Sequence, residues 1–332
     1  MLKKTILVTG GAGYIGSHVV RQLGEAGEDV VVLDDLSTGF RKAVLHGELI
    51  IGNTGDRDCL ESLFARFDID TIMHFAAHTV VPESVSNPLK YYRNNTCASR
   101  TLMEYAIRAD VRNFVFSSTA ATYGIPDTEK ASETTPTNPI NAYGLSKLMT
   151  EWMLRDVAAV EPMNYVALRY FNVAGSDPES RIGQSTPKAT LLTKVACEAV
   201  VGKRDHVKIF GTDYPTPDGT GVRDYIHVED LADAHLKALD YLRGDGESIT
   251  LNCGYGYGYS VREVLKAVEE AAGCALDIRE TDRRAGDPPV LIAEAARIRD
   301  VLGWQPQFDD LSQIVSSSLN WERKLAEGLW DR

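Results

Sequence analysis

The chain has 332 residues, 44% of them hydrophobic, and a formal net charge of −12. That length supports a large core and, at roughly 100–200 residues per domain, either two domains or one large α/β unit with an appended lobe. The acidic balance argues against general nucleic-acid or anionic-membrane binding, while a few local arginines can still hold a diphosphate, and no stretch approaches the ~20 apolar residues of a membrane span.

The start, Met1-Leu2-Lys3-Lys4, sets two positive charges before an apolar run. A secretory signal needs a longer apolar region and a small-residue cleavage site. Here residues 5–9 run straight into glycines, which predicts a first strand. Runs rich in Val, Ile and Phe at 6–9, 30–34, 49–51, 71–75, 114–117 and 165–168 are almost continuously apolar, as in parallel strands buried on both faces. Helical patterns at 15–26, 59–67, 88–109 and 142–159 alternate with them. The alternation predicts an α/β fold with a Rossmann-type doubly wound parallel sheet over residues 1–172. Past about residue 172, Gly, Pro and Asp become more frequent, as in Tyr214-Pro215-Thr216-Pro217-Asp218-Gly219. Helical patterns at 231–242, 261–272 and 311–326 between short strands predict a smaller C-terminal α/β substrate-binding lobe over 173–332, with some later segments interleaved into the first domain. Cys59, Cys97, Cys197, Cys253 and Cys274 are odd in number and form no CxxC pair. They read as free thiols in a reducing, cytoplasmic compartment.

After the first strand comes Gly10-Gly11-Ala12-Gly13-Tyr14-Ile15-Gly16, opening a helix. Glycines at 10, 13 and 16 permit a tight turn, close approach of backbone N–H groups to a pyrophosphate, and close packing of helix on sheet. The helix N-terminus adds partial positive charge. Asp34 ends the second strand, where a carboxylate accepts hydrogen bonds from the adenosine ribose and repels a 2′-phosphate, so NAD is expected rather than NADP. Asp35 follows it. Asp56 is expected at the adenine, and Phe75-Ala76-Ala77 at the end of the fourth strand lets the dinucleotide lie close.

In Asn141-Ala142-Tyr143-Gly144-Leu145-Ser146-Lys147, Tyr143 and Lys147 share one helix face. An adjacent ammonium, with the positive nicotinamide ring, is expected to lower the phenol from its usual value of about 10 and make Tyr143 a general base near neutral pH. Thr119, after Ser117-Ser118, offers a hydroxyl to the reacting oxygen. His74 and His78 lack a third ligand at metal-binding spacing, so no metal site is expected. Gly254-Tyr255-Gly256-Tyr257-Gly258-Tyr259 reads as a tight turn before a helix, not as a base-stacking surface, since no basic set accompanies it.

The sequence resembles the extended short-chain dehydrogenase/reductase enzymes, and within them the nucleotide-sugar 4-epimerases. The similarity is carried by the segment Val8 to His18, by Glu83-Ser84-Val85, Asn94-Asn95, Ala142 to Lys147 and Arg169-Tyr170-Phe171-Asn172, and by Gly219-Thr220-Gly221-Val222-Arg223-Asp224-Tyr225-Ile226-His227-Val228 and Arg283-Arg284-Ala285-Gly286-Asp287. It runs over essentially the whole chain, and the Gly219–Val228 run is its most specific part. The resemblance implies that Tyr143 is the base for the sugar 4-hydroxyl, with Lys147 on the nicotinamide ribose and Asn95 along the NAD. Asn172, Thr190, Leu191 and Leu291 contact the substrate, Arg223 and Arg284 clamp its pyrophosphate, and Asp287 meets the uridine ribose. It further implies a UDP-hexose substrate and a homodimer. Thr119 stands where Ser is common. Thr79 replaces a Lys found in some members, Thr190 an Asn and Leu291 a Tyr, which leaves substrate range open. Three rivals differ in chemistry. A 4,6-dehydratase needs an acid and a base after the hydroxyl residue, and here Ala120-Ala121 follows Thr119. A dinucleotide sensor has no use for Tyr143 and Lys147. A UDP-uronic acid epimerase should show an extra cation near the sugar C6.

Overall fold

The computed structural model describes residues 4–284 and 286–328. Met1, Leu2, Lys3 and Ala285, which figure in the readings above, lie outside the described residues. Seven parallel strands form the main sheet: β1 (Thr5–Thr9), β2 (Val30–Asp34), β3 (Glu48–Ile51), β4 (Ile69–His74), β5 (Asn113–Ser117), β6 (Asn164–Tyr170) and β7 (Ile249–Cys253). Their spatial order is β7-β6-β5-β4-β1-β2-β3. The order reverses between β1 and β4, and ligands of open α/β sheets bind in the crevice at such a switch point, outside the carboxyl ends of the strands. Strands β1 and β2 are buried at every position, which explains why they read as apolar runs without alternation.

Both faces are covered. One core cluster joins Ile6, Val8 and Val32 to Leu231 and Leu239 of the Val228–Arg243 helix. The other joins Leu7, Val31 and Ile72 to Leu102 and Leu154. A four-stranded sheet, ordered Tyr259–Ser260, Val222–Arg223, Val290–Ala293, Lys130–Ala131, carries much of the smaller lobe. Interleaving runs both ways: Ile249–Cys253 adds the edge strand to the large sheet, and Lys130–Ala131 pairs with Ile292–Ala293 in the small one.

The expected helices at 261–272 and 311–326 are present as Val261–Ala272 and Leu311–Ala326. Ser260 and Glu263 form a reciprocal capping box on the first of these. The pattern at 88–109 is not one regular helix. Pro88–Tyr91 leads into a wide π-type turn over Tyr92–Cys97 before Ala98–Arg108 resumes α geometry. No helix among the described residues is long and apolar enough to cross a membrane.

Candidate active site

A cavity of about 1210 Å³ opens over the carboxyl ends of the strands. The glycine turn forms one side. Gly10 has φ 72°, and a Cβ on it would lie 2.6 Å from the Ala76 nitrogen; on Gly16 it would lie 2.3 Å from the Gly10 carbonyl oxygen. The turn therefore closes against backbone that has nowhere to move, as a pyrophosphate cradle at a helix N-terminus requires. Gly13 is the N-cap of the Tyr14–Glu25 helix. Gly10, Gly13, Tyr14, Ile15, Gly16, Asp34, Asp35, Phe75, Ala76 and Ala77 all line the cavity.

Asp34 does two jobs there. Its Oδ2 accepts the Ala12 N–H at 2.9 Å and its Oδ1 the Leu36 N–H at 2.8 Å, bracing the glycine turn. Burial raises its carboxyl above the ordinary range, partly offset by those hydrogen bonds. Burial acts upward on Asp35 too, but hydrogen bonds from Ser37 and Asn53 outweigh it and hold this carboxyl low. The residues fit a dinucleotide whose 2′-position is a free hydroxyl.

Two residues expected along the cofactor stand off the cavity wall. Asp56 is exposed and is not on the cavity wall; its Oδ1 caps the Arg57–Arg66 helix by accepting from Asp58 N at 3.1 Å and Cys59 N at 3.2 Å. Gly52, Asn53 and Thr54, at the end of β3, form the wall in its place. Asn95 is buried behind the wall. Its Oδ1 accepts from His78 N at 2.8 Å, and its Nδ2 donates to His78 O and Ser146 Oγ, both at 3.0 Å. The wide turn aims it at the backbone of His78, itself a wall residue.

The Ala142–Ala158 helix starts at Asn141, whose Oδ1 accepts from Gly144 N at 2.9 Å. This cap seats Tyr143 in the cavity, buried and hydrogen-bonded to Thr119. Thr119 is held in turn by Ala121 N, which donates to its Oγ1 at 3.1 Å. Lys147 is buried beside these residues and not on the wall. Its Nζ donates to the Ser117 carbonyl at 2.7 Å and lies 4.9 Å from the centre of the Phe116 ring. The protein groups alone do not lower the phenol. Burial pushes the Tyr143 phenol above its ordinary value, and the Thr119 hydrogen bond only partly opposes it. Burial also draws Lys147 down to about 7, against the pull of Glu151. Withdrawal from water penalises phenolate and ammonium alike. An oxidised nicotinamide, when bound, would add a positive charge that favours phenolate. His74 is a structural group: Nδ1 meets Thr9 Oγ1 at 2.6 Å, Nε2 meets Ser99 Oγ at 2.7 Å, and burial lowers it to about 3.

The smaller lobe supplies the other side, where Asn172, Thr190, Leu191, Arg223, Arg284, Asp287 and Leu291 all line the cavity. Arg223 and Leu291 are partners in adjacent strands. The Arg223 Nη1 donates to Val222 O at 2.8 Å, and burial lowers its guanidinium with Asp287 opposing. Arg284 lies 3.7 Å from the centre of the Phe210 ring. Asp224, next to Arg223, accepts three backbone N–H groups, from Tyr255 at 3.0 Å, Gly256 at 3.0 Å and Ala293 at 3.3 Å. It thereby ties the Gly254–Tyr259 turn to the strand that bears Leu291. Ser37, Thr38, Gln184 and Lys188 also line the cavity; no motif marked them, and only their place after strand ends or in a Gly/Pro-rich stretch could have.

Residues 6–254 match the model of the NAD dependent epimerase/dehydratase family. The chain is 54% identical to the UDP-glucose 4-epimerase of Azospirillum brasilense, over 98% of this chain and 93% of that protein. It superimposes on the UDP-Glc/GlcNAc 4-epimerase of Campylobacter jejuni with a TM-score of 0.85 at 48% identity, covering 97% and 99% of the two chains. For a UDP-glucose 4-epimerase of Brucella ovis in complex with NAD, the TM-score is 0.93 at 39% identity, over 96% and 98%. A glycine cradle, an Asp-braced second strand, a buried Tyr–Thr pair and a two-arginine lobe, together with these matches, establish that the chain belongs to the NAD-dependent epimerase/dehydratase family.

Proposed function

We propose that the protein interconverts UDP-glucose and UDP-galactose by reversible oxidation at C4 through a 4-keto sugar. The observation that carries this is one cavity holding the Tyr143 and Thr119 hydroxyls together with Arg223, Arg284 and Asp287. NAD, when bound, takes the C4 hydride and returns it. Gly10, Gly13 and Gly16 receive its pyrophosphate, and Asp34 its adenosine ribose. Tyr143 removes the 4-hydroxyl proton and gives it back, with Thr119 orienting the oxygen. Arg223 and Arg284 hold the substrate diphosphate through charge-assisted hydrogen bonds while the sugar turns. Asp287 contacts the uridine ribose, and Asn172, Thr190, Leu191 and Leu291 wall the sugar. Ala120 and Ala121, both on the wall, carry no group able to move the protons that dehydration needs.

Incubation with UDP-galactose should give a product of unchanged mass that keeps its C6 hydroxyl. A product lighter by one water would overturn the reading in favour of a dehydratase. Leu291 favours a second activity on UDP-N-acetylhexosamines, because it is shorter than a tyrosine and lacks its hydroxyl. The Campylobacter protein, with GlcNAc in its name, supports this. We also propose a cytoplasmic homodimer built on the Ala98–Arg108 and Ala142–Ala158 helices, where Trp152 is 43% exposed; sedimentation of the purified protein tests the dimer.

A further inference from the structure

The helix face that carries Tyr143 and Lys147 continues to Glu151, which is buried one turn beyond Lys147. Three consecutive residues at the end of β5 engage this face. The Ser117 carbonyl accepts from Lys147, the Ser118 hydroxyl donates to Glu151, and the Thr119 hydroxyl bonds Tyr143. Glu151 is gripped from β6 as well: Arg169 donates to it through Nε at 3.0 Å and Nη2 at 2.6 Å. The chain of contacts then leaves the large sheet. Arg169 Nη1 donates to the Tyr123 hydroxyl at 3.0 Å, Tyr123 donates to Asn252 Oδ1 at 2.6 Å, and Asn252 Nδ2 donates to the Ala131 carbonyl at 2.8 Å.

A buried ion pair is a poor device for stability alone, because apolar residues of similar volume often serve as well or better. Here it sits beside an ammonium that has left water. A buried ammonium without a counter-charge gives up its proton. Among the described residues, His74 on β4 and Glu151 on its own helix act on or feel Lys147; Tyr143 lies one turn before it, Tyr170 on β6 bonds Ser117, whose carbonyl Lys147 holds, and Arg169 on β6 and Tyr123 after β5 stand behind Glu151. Burial holds His74 neutral and raises all three tyrosines. The carboxylate that opposes the loss of charge at Lys147 is Glu151.

We propose that Glu151 is a positioning residue for the hydride chemistry: its Arg169-clamped carboxylate, one turn along the same helix face, sustains the charge of the Lys147 ammonium that the Ser117 carbonyl seats. Glu151 does not touch the cavity. It acts through Lys147, and Arg169 restrains how strongly it acts.

The test is a titration of the dinucleotide-bound protein labelled with 13C-lysine. The Cε signal of Lys147, assigned with Lys147→Met, is followed against pH. In Glu151→Gln its midpoint falls by about one pH unit or more, the scale for losing a close opposite charge. In Arg169→Gln the carboxylate is freed to act on Lys147 alone, and the midpoint rises. A purely structural role would move both variants in the same direction. Should a single variant fail to fold, Glu151→Gln/Arg169→Gln removes the ion pair as a unit, and its midpoint falls by less than in Glu151→Gln. The alkaline limb of kcat for UDP-galactose moves with the lysine midpoint, at unchanged KM. Only this rate measurement rests on the epimerase reading. A lysine midpoint that shifts as expected in a protein without epimerase activity would uphold the electrostatic role and sink that reading. An unchanged midpoint in both Glu151→Gln and the double variant overturns the proposal.

Discussion

Replacing Tyr143 by Phe separates chemistry from folding, because the two effects differ in size. The ring keeps its packing against Tyr91 and Ala142. Only the hydroxyl and its hydrogen bond to Thr119 are lost, and Thr119 retains the bond from Ala121 N. One neutral hydrogen bond is worth about 1 kcal/mol net, which lowers Tm by about 1–2 °C in a chain of 332 residues. Loss of a general base costs about 10²–10⁴ in rate, or about 3–5.5 kcal/mol of barrier. We expect Tyr143→Phe to fold, retain its dinucleotide and bind UDP with near-normal affinity, while kcat for UDP-galactose falls by at least about a hundredfold. Initial rates from a product-coupled assay, thermal unfolding and UDP titration on one preparation decide it. A rate loss below about tenfold would refute the assignment of Tyr143 as the base. A collapse of Tm with rate loss in proportion would instead make Tyr143 a structural residue.

Gly16→Ala puts a Cβ into the Gly10 carbonyl, so it should purify without dinucleotide; normal NAD content in the variant would contradict the cradle. Wild-type protein denatured with acid should release NAD or NADH and no NADP, and finding NADP alone would overturn the role given to Asp34. Leu291→Tyr should lower kcat/KM for UDP-N-acetylgalactosamine far more than for UDP-galactose, and an unchanged ratio would show that this side chain does not bound the acetamide pocket. Burial raises Asp224 to about 6, above an unfolded value of about 3.9. A raised carboxyl contributes stability that is full below the unfolded value and is lost as pH rises through the folded one, here up to about 3 kcal/mol. The stability difference between wild type and Asp224→Asn should therefore move against wild type from pH 4 to pH 6, and a flat difference in urea unfolding would refute the buried-carboxyl account.

Much of the fold was legible because burial on both faces leaves a simple trace. The strand ending at Asp34 is apolar without alternation, and its bounds in the sequence and in the structure agree. Ile249–Cys253 escaped notice because its partner is remote: it lies against β6 with Asn252 beside Arg169, and only that pairing makes it a strand. The two-residue strands carrying Arg223 and Ala131 are too short for periodicity to register. The wide turn at Tyr92–Cys97 has no proline or glycine to announce it, so nothing local separates it from an ordinary helix. At the site, Gly10, Asp34 and Tyr143 could be read because each needs one residue type at one spacing. Asp56 carries a second use that its position also allows, since a carboxylate just before a helix caps it. Glu151 was invisible for a different reason: its significance comes from Arg169 and Lys147 together, and a strand crossing brings that trio into one place.

The distribution of polar groups around the cavity also suits a reaction whose substrate and product differ at one centre. An epimerase must bind both stereoisomers and let the oxidised sugar present either face. A strong directional bond to one epimer, at about 1 kcal/mol each, would deepen that ground state and slow the return. Here the charged groups that can grip, Arg223, Arg284 and Asp287, share the wall with Ala120, Ala121, Phe171 and Leu291, whose contacts have no direction. Holding the diphosphate firmly and the ring loosely lets the sugar rotate without escaping. The Tyr143 and Thr119 hydroxyls then need to meet only the oxygen on C4, which both epimers carry. By the same logic, the space left by Leu291 would extend the range of substrates without disturbing the chemistry. The acetamide would sit against an apolar wall that makes no bond on which catalysis depends, and the cost of accepting it is one of space alone.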